Sequence, residues 1–108
     1  MHTVLVTGSS GFVGSALVEK LDSIGFSVKP TVRRATGIKN EVVIGDIESY
    51  KNWQKLLAGT DVVIHLAARA HILNDTVEDP LAAFRKVNTQ ATIQLARECV
   101  KAGVKRFI

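Results

Sequence analysis

The chain contains one cysteine, Cys99, and few aromatic residues, which make up 6% of its 108 residues. A single cysteine excludes a disulfide within the chain, and it is typical of a protein from a reducing compartment. No apolar run approaches the length of a membrane span, and the N-terminus lacks a charged lead followed by a long apolar core. We therefore expect a protein of the cytoplasm with no membrane partner.

Repeats and low-complexity tracts are also missing, which excludes disordered and fibrous classes. The net charge is +4, but the positive residues are scattered and no aromatic residues interleave with them. Single-strand nucleic-acid binders combine basic and aromatic side chains, so we expect no nucleic-acid partner. Hydrophobic residues make up 46% of the chain, enough for one modest core, and residues 1–108 are predicted to form one domain.

The apolar segments alternate between strand-like and helix-like spacing. Strands are predicted at 4–6, 26–32, 42–47, 61–68 and 104–108, with helices near 12–24, 49–59 and 80–102. This order predicts an α/β fold: a Rossmann-like, doubly wound parallel sheet in a three-layer α/β/α arrangement, truncated in the fifth strand. Pro30 predicts an edge or irregular position for the second strand, because proline cannot donate to a ladder.

Two of the helices carry boundary signals. The first should end near Gly25, and Asp79 and Pro80 are typical of the start of the last. The stripe expected to face the sheet on the first helix consists of Val13, Leu17, Leu21 and Ile24.

Three glycines spaced three apart separate the first strand from the first helix, in the stretch VLVTGSSGFVG. Such a turn brings backbone N–H groups and the positive end of a helix dipole to a diphosphate. A side chain at Gly8 or Gly11 would hold the phosphates off, and Gly14 would let the helix approach the strand. The alternative is that the glycines serve only a tight turn, but their place at a strand–helix junction favours a dinucleotide site.

The stretch TGSSGFVG resembles the phosphate loop of the extended short-chain dehydrogenase/reductase family, which includes NAD(P)-dependent nucleotide-sugar epimerases and dehydratases. Three later stretches match in the same order: GDI at 45–47, HLAA at 65–68 and DPLAAFRKVNTQAT at 79–92. The resemblance runs from Thr3 to Phe107 and implies that residues 1–108 are the N-terminal NAD(P)-binding Rossmann domain of a longer enzyme. The stretch from His65 to Pro80 is also similar to a bacterial branch that makes surface-polysaccharide sugars.

The resemblance and the glycine pattern together assign cofactor-binding residues. Apart from two arginines discussed below, they are Gly8, Ser10, Gly11, Phe12, Val13, Gly14, Asp46, Ile47, Leu66, Ala67, Ala68 and Asn88. The resemblance implies that Asp46 contacts the adenine, that the next residue packs on it, and that Asn88 approaches the cofactor from its helix. Asp46 could instead cap a loop or the short helix, and the small residues that follow His65 could belong to the core alone.

No catalytic residue is assigned. The family's mechanism implies a tyrosine, a lysine four residues later, and a serine or threonine, acting with a nicotinamide that takes hydride from a sugar carbon. The only tyrosine, Tyr50, has Gln54 where the lysine should be, so we interpret it as a surface helix residue. His65 and His71 lack a second ligand at helical or turn spacing, and no metal is predicted.

The resemblance implies a nucleotide-sugar substrate for the whole enzyme, acted on by epimerisation, dehydration or reduction, and it admits a homodimer. The alternative is a regulatory protein of the same fold that senses a dinucleotide without catalysis. A Tyr-x-x-x-Lys sequence downstream of residue 108 would separate the two.

The end of the second strand bears on which dinucleotide binds. Val32 stands where NAD-using relatives tend to carry an aspartate, and Arg33 and Arg34 follow it. A guanidinium can pair with the 2′-phosphate of NADP through two parallel bonds. Arginines after a strand can also be merely solvated. Between NAD and NADP the sequence favours NADP, with Arg33 as the first candidate and Arg34 as the alternate.

Overall fold

The computed structural model describes residues 2–67 and 80–108, which form strands and helices in alternation. The elements are β1 (Thr3–Thr7), α1 (Phe12–Ser23), β2 (Ser27–Val32), β3 (Val42–Val43), α2 (Trp53–Leu57), β4 (Val62–His65), α3 (Pro80–Ala102) and β5 (Arg106–Phe107). A 3₁₀ turn, Ile47–Ser49, precedes α2. The strands pair in parallel in the order β3-β2-β1-β4-β5. This is the doubly wound order, and it confirms the predicted Rossmann-like fold.

Strand β1 contributes to two apolar cores, because successive side chains on a strand project to opposite faces. Leu5 packs with buried residues of α2, α3 and β4, among them Trp53 and Leu95. Val4 and Val6 pack on the other face with Val18 of α1. The sheet therefore lies between α1 on one side and α2 with α3 on the other. Burial of an apolar side chain such as Leu5 in these cores stabilises the fold by about 2 kcal/mol.

The apolar face of α1 agrees with the predicted stripe in part, because Leu17 and Leu21 pack against the core beneath the helix. The buried residues are Gly14 and Val18, whereas Val13 and Ile24 are 62% and 57% exposed. Gly14, Val18 and Leu21 share the same helical spacing as the predicted set, so periodicity alone could not choose between the two faces. The helix does end where expected, since Gly25 has a φ of +98° and follows the last turn.

Pro30 lies at a local edge, as expected, because β2 pairs with β3 only at Thr31 and Val32; the strand as a whole is internal to the sheet. Strand β2 lies between β3 and β1, and Pro30 is buried opposite Val6. The Val32 carbonyl accepts the Ile44 N–H, so the backbone polar groups of Val32 point towards β3. Pro30 lies two residues earlier on the strand and has the same orientation, so the N–H that proline lacks would also have pointed towards β3. Strand β3 begins opposite Thr31, beyond the proline, and no ladder bond is lost there.

Strands β3 and β4 end earlier than predicted, at Val43 and His65. Tyr50 is not a surface residue of α2: it precedes that helix, is half-buried and lies edge-on to Trp53, with ring centroids 4.8 Å apart. Asp79, the predicted N-cap of α3, lies outside the described residues.

Candidate functional site

A cleft of about 370 Å³ opens at the carboxyl ends of the first four strands. Its floor comes from the glycine loop after β1, and its walls come from the segments that follow β2, β3 and β4. The strand order reverses between β1 and β4, and ligands of doubly wound sheets bind in the crevice at such a switch point. The position of the cleft is therefore that of a ligand site.

Eight of the residues predicted to bind a cofactor line this cleft. They are Gly8, Ser10, Gly11, Arg33, Asp46, Ile47, Leu66 and Ala67. Phe12 and Val13 begin α1 with largely exposed side chains and are outside the lining. Arg34 is exposed outside the lining, and Asn88 is half-buried on α3. Ala68 lies outside the described residues.

Five further residues line the cleft without having been predicted: Thr31, Val32, Ile44, Gly45 and Glu48. They belong to the ends of β2 and β3 or directly follow them. The predicted parallel order contained the signal that could have found them, because the carboxyl ends of parallel strands meet at one edge of the sheet.

Two of the three loop glycines are required by the fold. A Cβ built on Gly8 would lie 2.8 Å from the Ala67 nitrogen and 2.9 Å from the Leu66 carbonyl carbon, and its φ is +69°. A Cβ on Gly14 would lie 2.1 Å from the Gly8 carbonyl oxygen. The expectation that Gly8 makes room for phosphates thus misses its immediate neighbour, which is the backbone after β4.

Gly11 differs from the other two glycines. Its φ of −74° and ψ of 171° suit any L-residue, and among residues 2–67 and 80–108 a Cβ there would have only the Gly8 carbonyl oxygen within 4 Å, at 3.4 Å. Gly11 lines the cleft, so its missing side chain leaves space on the cleft side. This is the arrangement expected where a ligand approaches the backbone closely.

The N-terminus of α1 begins at this same loop. Gly11 is the N-cap residue and has no side chain with which to cap the helix, and the first turn of α1 contains no acidic residue. The first N–H groups of a helix have no partners within the helix, and the dipole makes this end positive. The cleft floor can therefore donate hydrogen bonds to a diphosphate and attract its negative charge.

Hydroxyl groups fix the loop to the strands beneath it. The buried Ser9 hydroxyl donates to the Val6 carbonyl at 2.8 Å, and the Ser9 N–H donates to the Thr31 carbonyl at 3.1 Å. The Thr31 hydroxyl donates to the same Val6 carbonyl at 3.1 Å. These bonds hold the loop in place, with Ser10 and Gly11 on the cleft side.

A second polar network holds the wall after β4. The Thr7 hydroxyl oxygen accepts the N–H groups of Leu66 and Ala67, each at 3.0 Å, and lies 2.7 Å from His65 Nδ1. A hydroxyl accepts two bonds and donates one, so Thr7 donates to Nδ1. His65 is then neutral with its proton on Nε2, which donates to Thr92 Oγ1 at 3.1 Å. Burial lowers the pKa of His65, in agreement with the neutral form.

The charged groups of the cleft include an ion pair. Arg33 follows β2 and Asp46 follows β3, and Arg33 Nε donates to Asp46 Oδ1 at 2.6 Å. The two side chains are 59% and 47% exposed. Both were predicted to contact a cofactor, at different groups, and the structure shows them in contact with each other.

Residues 2–67 and 80–108 contain no group of three or more His, Cys, Asp or Glu side chains placed to hold a metal ion. No helix in this part of the chain is long and apolar enough to cross a membrane.

Comparison with known proteins agrees with this architecture. The chain is 41% identical over 109 residues to a UDP-glucose 4-epimerase of Vibrio cholerae, covering 98% of this chain and 33% of the relative. Its structure is similar to that of a short-chain dehydrogenase/reductase superfamily protein from Agrobacterium tumefaciens with bound NAD, at 32% identity and a TM-score of 0.79. That match covers 98% of this chain and 31% of the other.

A UDP-glucose 4-epimerase from Thermotoga maritima, solved with UDP-glucose, is also similar, with 30% identity, a TM-score of 0.76 and coverage of 97% of this chain and 36% of the other. The chain thus spans about one third of the length of the proteins it matches. The sequence profile of the NAD dependent epimerase/dehydratase family matches residues 4–108, nearly the whole chain. These matches confirm the resemblance described above, and the chain belongs to the NAD dependent epimerase/dehydratase family.

Proposed function

We propose that residues 1–108 are the N-terminal, cofactor-binding domain of a longer enzyme, and that the cleft binds a nicotinamide dinucleotide. The observation that carries the proposal is the cleft floor, where Gly11 leaves open space beside the uncapped N-terminus of α1. A diphosphate fits this floor because backbone N–H groups and the helix dipole both favour negative charge there.

Most of the predicted site residues have a proposed role around that floor. The N–H groups of Phe12, Val13 and Gly14 belong to the first turn of α1 and would donate to the diphosphate. Asp46 would accept from the exocyclic amine of the adenine, with Ile47 packed on the ring.

The wall residues Leu66 and Ala67, together with Ala68, would lie along the cofactor, and Asn88 would approach it from α3. When bound, the cofactor supplies hydride transfer, and this chain's residues hold it in place.

We propose NAD as the cofactor. The family is described as NAD dependent, and the similar Agrobacterium tumefaciens protein was solved with NAD. The NADP preference inferred from Arg33 and Arg34 has no support in these comparisons, and the contact of Arg33 with Asp46 argues against it. The substrate proposed for the whole enzyme is a nucleotide sugar, with hydride transfer at a sugar carbon. The Thermotoga maritima relative with UDP-glucose supports this substrate class.

Calorimetric titration of the purified protein with NAD tests the binding proposal, and saturable binding at one site is expected. Absence of binding would overturn it. Turnover of UDP-sugars needs a Tyr-x-x-x-Lys sequence beyond residue 108, and its absence from the gene would refute the enzymatic part in favour of the regulatory alternative. A homodimer, the cytoplasmic location and a role in surface-polysaccharide synthesis stay predictions from the sequence.

A further inference from the structure

The hydrogen-bonding capacity of the Thr7 hydroxyl group is completely used. Its oxygen accepts the N–H groups of Leu66 and Ala67, each at 3.0 Å, and its proton is donated to His65 Nδ1 at 2.7 Å. A hydroxyl oxygen accepts two hydrogen bonds and donates one, so all three positions are filled. Thr7 is buried, so a group that loses one of these bonds cannot replace it with a bond to solvent.

The two backbone N–H groups belong to the wall of the cleft, whereas His65 precedes that wall and lies outside the lining. Leu66 and Ala67 line the cleft, and their backbone passes beside Gly8 of the glycine loop, where an added Cβ would lie 2.8 Å from the Ala67 nitrogen. The Thr7 hydroxyl is bonded both to this wall and to the His65 ring. A change in the ring therefore reaches the cleft through Thr7.

We propose that His65, as the neutral imidazole, is a positioning residue for the cofactor and acts through Thr7 on the wall of the cleft. This inference rests on the proposed function, since it assigns a role in the same cofactor site. The unprotonated Nδ1 accepts the Thr7 hydroxyl proton, which leaves both lone pairs of that oxygen to Leu66 and Ala67. Protonation of Nδ1 would bring a third N–H group to an oxygen that can accept two. One backbone N–H of the wall would then lose its acceptor, and the hydroxyl proton would lose its own.

Within the described part of the chain, the groups in contact with the His65 ring are uncharged. Its two nitrogens face the hydroxyl groups of Thr7 on β1 and Thr92 on α3, and the Phe107 ring of β5 stacks on it with centroids 6.0 Å apart. Strand β1 carries no charged residue. The charged residues of α3 and β5 with described side chains are Arg85, Arg97, Glu98, Lys101 and Arg106.

None of these five charged residues bonds to the His65 ring, and burial is the cause that lowers the pKa of His65. The surroundings therefore favour the neutral imidazole. Cofactor binding needs the wall in place, so it should favour the neutral form further. By linkage, proton uptake at His65 should weaken cofactor binding, and the affinity should fall as pH decreases.

Calorimetric titration with NAD between about pH 8 and pH 5 tests this role on the wild type and on His65→Asn. Asparagine carries an acceptor oxygen at the position of Nδ1 but takes up no proton in this range. The affinity of the wild type should fall about tenfold more than that of His65→Asn, the factor for one buried hydrogen bond. Any titration of His71 or of the carboxylates in the cleft is common to both proteins and cancels in the comparison.

Three further variants separate positioning from a purely structural role. His65→Phe offers Thr7 no acceptor, so its NAD affinity at about pH 8 should be severalfold below that of His65→Asn. Thr7→Ser keeps the hydroxyl group and should keep the pH dependence, whereas Thr7→Val should bind NAD weakly and without that dependence. His2→Asn is the matched control, because His2 lies at the opposite end of β1 from the cleft and should not alter the profile. Circular dichroism at each pH checks that every protein is folded.

The outcomes distinguish the positioning role from the proposed function. If the wild type binds no NAD at about pH 8, the proposed function is wrong and the positioning role is lost with it. If NAD binds but the wild type and His65→Asn share one pH profile, the positioning role alone is wrong. A wild-type affinity that rises at low pH would also refute it, because the imidazolium would then attract the diphosphate instead of releasing the wall. A pH dependence that survives in Thr7→Val would show that His65 does not act through Thr7.

Discussion

A single methyl group should lower the stability of the fold when it is placed at Gly14, and the affinity for NAD when it is placed at Gly11. At Gly14 the added Cβ would meet the Gly8 carbonyl oxygen at 2.1 Å, more than 1 Å short of ordinary contact, and both groups belong to the backbone. To relieve this clash, α1 must move away from the loop. Overpacking of this kind costs about 1–3 kcal/mol of stability. The gain from replacing a helical glycine by alanine, about 1 kcal/mol, offsets only part of this cost.

At Gly11 the backbone is extended, and the same methyl group would touch one oxygen at 3.4 Å. The lower entropy of the unfolded chain favours alanine by about 0.4–1 kcal/mol, and the weaker N-cap disfavours it by a similar amount. The free energy of unfolding should therefore change by less than about 1 kcal/mol. NAD affinity should fall tenfold or more, because the methyl group occupies the space left for the diphosphate, and tenfold corresponds to about 1.4 kcal/mol.

Urea unfolding and calorimetric titration of Gly11→Ala and Gly14→Ala measure both quantities on a matched pair of variants. The free energy of unfolding should be lower in Gly14→Ala than in Gly11→Ala. NAD affinity should fall in Gly11→Ala although the fold of that variant is intact. Equal loss of stability in both variants would refute the assignment of Gly11 to the ligand. Unchanged NAD affinity in Gly11→Ala would refute it as well.

Three other predictions concern stability and reactivity. Burial lowers the pKa of His65 below its unfolded value of about 6.5, so the free energy of unfolding should decrease as pH falls below about 6.5, and His65→Phe should remove that part of a pH series of urea melts. Lys29 Nζ donates to carbonyls at the end of α2, so Lys29→Met should cost about 1 kcal/mol in urea unfolding, while the exposed Lys39→Met should cost nothing measurable. Burial raises the pKa of Cys99 to about 11, so a thiol reagent at about pH 8 should label it only after denaturation; labelling of the native protein would contradict its burial.

The location of the cleft could be predicted because it depends on local signals. Apolar runs and glycines fix where strands end, and a parallel order puts those ends at one edge. Which glycines are required by the fold, and which one leaves space for a ligand, could not be predicted in the same way. Gly8 is needed because the backbone of Leu66 and Ala67 passes beside it, and those residues are far away along the chain.

Neighbouring residues of one type show the same limit at shorter range. Ser9 is buried and bonded to the Val6 carbonyl, whereas Ser10 is exposed and lines the cleft. The residue types alone do not distinguish them, and only the family resemblance assigned Ser10 and not Ser9 to the site. The direction in which the loop turns is the physical reason for the difference. The face of α1 was predicted only in part for a related reason, because two overlapping stripes with the same period were available and a contact at Gly14 chose between them.

The charge environment of Arg33 could not be predicted from the sequence alone either. Arg33 was interpreted as a phosphate ligand because no carboxylate stands beside it in the sequence. Its nearest carboxylate belongs to Asp46, which reaches it only through the pairing of β2 with β3. The attraction of an arginine for a phosphate is set by all charges within a few ångströms, and strand order, not sequence distance, decides which charges those are. The charge around Arg33 is thus set by two neighbouring strands together, and a motif interpreted along β2 alone does not reveal the carboxylate that follows β3.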